Sequence, residues 1–284
     1  MSISKNLDRS SAGSAIGPAT GYGRGHGRVV GGSPDPRRWL TALPVYNEVQ
    51  YVDAILDEVL LYADHVLVVD DGSTDGTSDI LAGRDDVMTI RHDQNRGYGG
   101  ALQTAFAATI DGGYDGLVTL DCDGQHQPRR IPRFIEASAA AEIVSGSRYL
   151  KIYEGDNAPP PERLFINRCI TAELNHRLGY DLTDAFCGFK AYRTSALERL
   201  SIDDDGYAMP LQLWVQAAAA GLSVVELPVP LIYLDLERSF GGSLDHSETR
   251  LKYYRQVLDR SFEAAAENGR RFPSRQTADC VAAS

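Results

Sequence analysis

Several things are scarce in this 284-residue chain. No uninterrupted apolar run reaches the roughly 20 residues that a membrane-spanning helix needs. The greasiest stretch, AAAAGLSVVELPVPLIYL at 217–234, is interrupted by Glu226, Pro228 and Pro230. It reads as a helix end followed by two strands. The start, MSISKNLDRSSAGSAIG, lacks the continuous apolar centre of a signal peptide. Cysteine is sparse: Cys122, Cys169, Cys187 and Cys280 are scattered, with no CxxC pair and no His/Cys cluster at zinc spacing. They read as reduced thiols of a cytoplasmic protein, without disulfides. Positive charge is in deficit, with 28 Lys and Arg against 39 Asp and Glu, a formal net charge of −11. A nucleic-acid binder needs a basic footprint, which this composition denies. Broad attachment to anionic lipid is disfavoured for the same reason, although a local basic patch could still serve.

Phosphate-loop signatures are missing too. No GxxxxGK[ST] string occurs, and the turn after the first predicted strand reads PVYNE where a dinucleotide-binding fold carries GxGxxG. GYGRGHG at 21–27 has alternating glycines but no preceding strand.

What is present is ordinary globular material, 43% hydrophobic and 24% charged. Residues 1–36, rich in Gly, Ser and Arg, read as a flexible tail. Residues 37–266 read as one folded domain, and 267–284 as a second flexible tail. Inside the domain the pattern alternates. Strands are predicted at 39–45, 65–70, 87–92, 116–121 and 142–148. Helices are predicted at 49–63, after DGSTDGT, at 99–112 and at 128–141. This alternation predicts an α/β fold with a mostly parallel central sheet and helices on both faces. Ligands in such sheets bind beyond the carboxyl ends of the strands. PVYNE, DDGSTDGT, HDQNRG and DCDGQ all fall at those ends.

The acidic turn in LVTLDCDGQHQP (117–128) carries the sharpest chemistry. Side chains at i and i+2 of an extended segment share a face, so Asp121 and Asp123 either repel each other or share a cation. Magnesium and manganese take oxygen ligands, commonly one or two carboxylates plus substrate phosphates. Gln125 could add a neutral oxygen. Cys122 is expected to face away as a packed side chain, and His126 to be a solvated loop residue. Asp, Gly and Pro are also ordinary turn formers, so the turn could be purely structural. LVTLDCDGQ resembles the hydrophobic-DxDGT signature of haloacid-dehalogenase-type phosphatases. That signature has Thr where this chain has Gln125, and it sits on a first strand, whereas three strands precede this one.

PVYNE, VLVVDDGSTDGT, HDQNRGYGGAL, LDCDGQHQP, IVSGSRY and TDAFCGFKAYR together resemble the family 2 glycosyltransferases, and more narrowly the dolichyl- or polyprenyl-phosphate mannose (or glucose) synthases. The match spans roughly residues 40–245. It implies a GT-A (Rossmann-like) fold, a nucleotide-sugar donor such as GDP-mannose or UDP-glucose, a polyprenyl phosphate acceptor, Mg2+ or Mn2+, and inversion at the sugar carbon. By that resemblance Pro44, Tyr46, Glu48 and Asp70 line the nucleoside pocket, with Asp71 beside it. Ser73 or Asp75 would cap the following helix. Asp121, Asp123 and Gln125 form the metal centre, Asp121 also meeting the donor and Asp123 serving catalysis. Arg148 and Arg168, with Arg163 in support, neutralise phosphates. Asp184 sits near the acceptor, and Arg238 of RSFGGS (238–243) belongs to a closing loop. Two positions depart from the synthase pattern: Leu244 stands where Lys is usual, and Gln212 where an acidic residue is common. Both departures fall on the acceptor side. A sugar-hydroxyl acceptor, with Asp184 as base, is one alternative; a binding module without turnover is another. A lipid acceptor calls for peripheral membrane contact, for which PRRIPRF (128–134) and LKYYRQVLDR (251–260) are the basic-apolar candidates.

Overall fold

The computed structural model describes residues 35, 38–233, 242–270 and 272. The chain runs β1 (Trp39–Val45), α1 (Val52–Val59), β2 (Val66–Asp70), α2 (Thr77–Ala82), β3 (Met88–Arg91), α3 (Tyr98–Asp111) and β4 (Gly116–Thr119). It continues through a 3-10 turn (Pro128–Arg130), α4 (Ile131–Ala137), β5 (Ile143–Ser147), α5 (Pro161–Leu178), β6 (Lys190–Arg193), α6 (Thr194–Leu197), α7 (Met209–Ala219) and β7 (Val224–Pro228). A second 3-10 turn (Gly242–Asp245) precedes α8 (Ser247–Glu267).

Among the described residues the strands form a seven-stranded sheet in the order β3-β2-β1-β4-β6-β5-β7. All neighbours are parallel except β6, which runs antiparallel to both β4 and β5. The alternating side chains of β1 and β2 explain their unbroken apolar runs. Leu40, Ala42, Leu67 and Val69 join one core with α3, α5, α7 and α8. Trp39, Leu43, Val45, Val66 and Val68 join the other with α1 and α4. A strand buried on both faces has no polar alternation to show.

Several predicted elements are shorter than their periodicity. α1 begins at Val52, not residue 49, because the Glu48 and Val49 amides are taken by Thr77 Oγ1 and Asp75 Oδ2. It ends at Val59 where i→i+3 bonds from Leu61 and Tyr62 tighten the chain. The predicted 128–141 helix divides into a 3-10 turn and α4, at a segment where Pro132 lacks an amide donor. Among its described residues, 217–233, the 217–234 stretch holds one strand, β7, not two; residues 230–233 form no ladder, and Leu231 is instead bonded to Asp156 and Asn157.

No described helix is long and apolar enough to cross a membrane. The two segments expected at a membrane surface also turn their apolar side chains inward. Ile131 and Phe134 pack into one core, and Tyr254, Val257 and Leu258 into the other.

Candidate functional site

The turns after β1 and β2 are one interlocked structure. Asn47 sits at φ +57°. Its amide donates to Ser73 Oγ at 2.9 Å and its Oδ1 accepts from Thr74 N at 2.8 Å. Asp70 is fully buried and ties the second turn, accepting from Ser73 N at 2.9 Å and Ser78 Oγ at 2.5 Å. It therefore does not reach the cavity wall, unlike Pro44, Tyr46, Glu48 and Asp71, which line it. Asp75 accepts from Thr77 N at 3.0 Å at the start of α2, while Ser73 is spent on Asn47.

Asp71 explains the HDQNRG motif. It meets His92 Nδ1 at 2.6 Å and accepts from Arg96 N at 2.9 Å and Gly97 N at 2.7 Å. Gly97 has φ +96°, and a Cβ there would strike the Asp205 carbonyl, so glycine alone lets α3 start against the 203–206 segment.

The acidic turn follows β4. Asp121 and Asp123 both line the same cavity, of about 430 Å³. Strand pairing fixes what lies behind Asp121. With Thr119 opposite Lys190 in the antiparallel register, Asp121 comes opposite Gly188. A Cβ on Gly188 would fall 2.6 Å from Asp121 Oδ1 and 2.7 Å from its Cγ. The glycine of TDAFCGF thus makes room for the carboxylate. Tyr98 hydrogen-bonds to Asp121; burial first, then the Asp121 charge, pushes its hydroxyl well above the ordinary value. His126 is not the solvated residue expected: its side chain is 6% exposed, with Nε2 3.1 Å from Asp121 Oδ2. The ring also packs edge-on against Phe189 at 5.5 Å between centroids, so an aromatic contact and a carboxylate hold it down. Cys122 is buried in the core as expected.

Asp123 folds back, accepting from Gln125 N at 3.0 Å and Gln125 Nε2 at 2.9 Å. Two hard carboxylates on one wall suit a magnesium- or manganese-sized ion. Among the described residues no group of three or more His, Cys, Asp or Glu side chains is gathered to hold a metal. An ion at Asp121 and Asp123 would therefore complete its shell from a neutral oxygen such as that of Gln125, from water and from substrate.

Around Asp184 the outcome differs more from expectation. Asp184 is fully buried rather than fronting an acceptor. Its Oδ1 accepts from Asn167 Nδ2 at 2.7 Å, Arg148 Nη2 at 3.0 Å and Phe186 N at 3.1 Å. Its Oδ2 accepts from Arg148 Nε at 2.7 Å. Burial acts to raise this carboxyl, but the Arg148 charge and these hydrogen bonds outweigh it and hold it below its ordinary value. Arg148 does line the cavity, with its guanidinium held by Asp184. Glu226, which the sequence reading passed over, accepts from the Thr183 and Asp184 amides and closes the same turn from behind. Neighbouring Cys187 is no nucleophile: burial pushes its thiol up to about 12.

Arg163, Ile166 and Asn167 line the cavity from α5. Arg168 is rotated off that face and exposed, so it does not join them. Arg250, Tyr233 and Tyr254 also line the cavity, and the sequence reading missed them. Arg250 stands four residues before Tyr254 and eight before Leu258, the buried stripe of α8, which was the available signal. Gln212 turns to the 203–204 backbone, accepting from both amides at 3.0 Å. The Leu244 carbonyl accepts from Arg250 Nη1 at 2.8 Å. Arg238 lies outside the described residues, as does GYGRGHG.

The cavity thus carries the carboxylates of Glu48, Asp71, Asp121 and Asp123 against Arg148, Arg163 and Arg250, with Arg148 already offset by Asp184. At an effective dielectric near 20, a unit pair at ~4 Å is worth ~4 kcal/mol, so a bare diphosphate beside the acidic turn is repelled.

Three comparisons bear on this geometry. The family model described as Glycosyl transferase family 2 matches residues 41–201. The chain is 34% identical over 215 residues to the undecaprenyl-phosphate mannosyltransferase of Micrococcus luteus, covering 72% of this chain and 86% of that one. It is 33% identical over 233 residues to the polyprenol monophosphomannose synthase of Mycolicibacterium smegmatis, covering 76% and 86%. Among solved structures, glucosyl-3-phosphoglycerate synthase from Mycobacterium tuberculosis, in complex with Mn2+, UDP and phosphoglyceric acid, aligns with a TM-score of 0.58 at 19% identity, covering 81% of this chain and 78% of that one.

Proposed function

Because this chain belongs to glycosyl transferase family 2, and is a glycosyltransferase of the GT-A fold, we propose that it moves a hexose, mannose first and glucose second, from a nucleotide diphosphate sugar to a polyprenyl phosphate. The transfer inverts the sugar carbon. The observation that carries the acceptor class is the enclosure of Asp184, bonded on both oxygens and fully buried. A sugar hydroxyl must lose a proton as it attacks, and needs a positioned base. A phosphate monoester, with a second pKa near 6, arrives already anionic at neutral pH. The buried carboxylate fits the second case, acting by holding Arg148. The names of the two relatives, an undecaprenyl-phosphate mannosyltransferase and a polyprenol monophosphomannose synthase, support the same class.

Pro44, Tyr46 and Glu48 would receive the nucleoside at the mouth of the β1 turn. Asp121 and Asp123, with Gln125, would hold Mg2+ or Mn2+, the metals named with solved structures of the same fold. Such an ion, when bound, supplies positive charge to the departing diphosphate. Arg163 and Arg250 line the same cavity, where they would hold the acceptor phosphate. His126, Tyr98 and Gly188 fix where the Asp121 carboxylate lies. The protein would work beside a membrane without a spanning helix in its described residues.

The test is a donor panel of GDP-mannose, UDP-glucose and UDP-N-acetylglucosamine with manganese and a short polyprenyl phosphate, reading nucleoside diphosphate release. GDP-mannose with the lipid phosphate is expected to give the fastest turnover. Release that ignores the lipid phosphate, but rises with a sugar hydroxyl acceptor, would overturn the acceptor class.

A further inference from the structure

With the apolar sides of 128–134 and 251–260 packed inward, the apolar groups left outside the fold lie elsewhere. β5 delivers Arg148 and Tyr149 to the cavity wall. The chain then projects Leu150, Lys151 and Ile152 into solvent, with Leu150 45% exposed and Ile152 90%. This projection is anchored immediately behind its tip. Tyr153 N donates to Asp156 Oδ2 at 2.7 Å, its hydroxyl to the Pro228 carbonyl at 3.1 Å, and Asn157 N to the Leu231 carbonyl at 2.9 Å. An exposed isoleucine on a braced turn costs solubility and contributes no packing. On α5, Phe165 is 49% exposed, between Arg163 and Ile166, which line the cavity. The tip and Phe165 therefore follow directly from wall residues of one mouth.

Two cations lie beside the tip, with Glu154 and Asp156 the acids that follow it in the chain. Arg130 Cζ lies 4.9 Å and Lys151 Nζ 5.0 Å from the centre of the Tyr153 ring. Two cations thus converge on one aromatic residue. Arg130 donates to the neutral oxygens of Gln127, Tyr153 and Pro228. Among the described residues no carboxylate pairs with Arg130 or Lys151. Asp156, the nearby acid, accepts from the Tyr153 and Leu231 amides, and Glu154 is exposed. An apolar tip flanked by uncompensated cations complements the boundary of an anionic bilayer, where acyl chains take the tip and headgroup phosphates take the cations.

We propose that the Leu150–Ile152 tip, with Phe165 and the Arg130–Lys151 pair, docks this protein on an anionic bilayer with its cavity mouth toward the headgroups. The purpose of docking rests on the polyprenyl-phosphate reading above, but the docking itself does not.

Flotation of the full chain with phosphatidylcholine vesicles, with and without phosphatidylglycerol, tests it. The wild type is expected to float with the phosphatidylglycerol vesicles at low salt and less so as salt rises. Leu150→Glu with Ile152→Glu is expected to cut that partition by about tenfold or more, and Lys151→Ala by about fivefold. Leu61→Glu, at an apolar residue 73% exposed after α1, is the control and should float as wild type. Thermal melts verify that each variant is folded. A wild type that stays in the lipid-free fraction at low salt, or a double variant that floats undiminished, overturns the proposal. Transfer assays separate this from the acceptor reading. The double variant should match wild type on a short, water-soluble polyprenyl phosphate and fall behind it on a long-chain acceptor in vesicles. Docking as described, with neither acceptor glycosylated, would overturn the acceptor reading and leave the docking surface standing.

Discussion

Arg148 grips Asp184 with Nε at 2.7 Å and Nη2 at 3.0 Å, a two-pronged pair whose carboxylate is wholly enclosed. Removing one partner of a buried pair leaves the other charge stranded, at a cost of about 3–5 kcal/mol. Asp184→Asn is therefore expected to lower the melting temperature by roughly 10 °C. The sign with pH follows from the depressed carboxyl. Its contribution is present above the ordinary value of 3.8 and is lost as pH falls through the lower folded value. The gap in melting temperature between wild type and Asp184→Asn should be flat between about pH 5 and 8 and close under acid conditions. A gap that widens on acidification would contradict the pairing.

Gly188→Ala should separate activity from stability. The added methyl would displace Asp121 while most of the core keeps its packing. A misplacement near 1 Å costs about 100-fold in rate. Transfer should fall by that order while melting drops by only a few degrees. Unchanged turnover would mean that the Asp121 position carries no weight.

Asp121→Ala with Asp123→Ala, or chelation of the wild type, should lower transfer by about a thousandfold or more, given the several kcal/mol a Lewis acid supplies. Manganese should restore the chelated wild type and leave the double variant inactive. Turnover that survives in excess chelator would end the metal reading.

His126→Ala tests the support behind the acidic turn. Partners that orient metal-binding carboxylates typically affect affinity by about 10–100-fold. Manganese affinity, titrated directly, should fall within that range with the fold intact. An unchanged affinity would reduce His126 to packing against Phe189.

Gly97→Ala forces an L-residue to φ +96° and into the Asp205 carbonyl. A loss of about 1–3 kcal/mol in unfolding free energy is expected. A denaturant melt that matches wild type would show that the 203–206 segment yields at no cost.

The turns after β1 and β2 were readable because their signals are local. PVYNE and DDGSTDGT sit at consecutive strand ends; Asn47 of the first accepts from the second's backbone, and Ser73, Asp75 and Thr77 of the second accept from backbone amides at 47–49. The surroundings of Asp184 were harder to read because its partners are remote in sequence. Nothing near Asp184 announces Arg148, which comes 36 positions earlier, or Glu226, which comes 42 later. The resemblance placed Asp184 near the acceptor, and only packing makes it interior. His126 likewise looked exposed until Phe189, brought alongside by β6, covered it. β6 was illegible as a strand because KAYR is only four residues long, too short for a period. Arg168, expected at the phosphates, is turned off the cavity wall, and Arg250, not singled out in the sequence, lines it, since a side chain's bearing on a helix depends on which face the core takes.

The reversed direction of β6 has a consequence for how the protein comes into being. A nascent chain still short of Gly188 already holds both aspartates of the acidic turn, yet lacks the neighbour whose missing side chain receives the first of them. Competence therefore arrives late in synthesis, when the returning strand slots between two others already made. Fragments of the amino-terminal half are expected to be inert, not feeble, and turnover becomes a report that the whole sheet has closed.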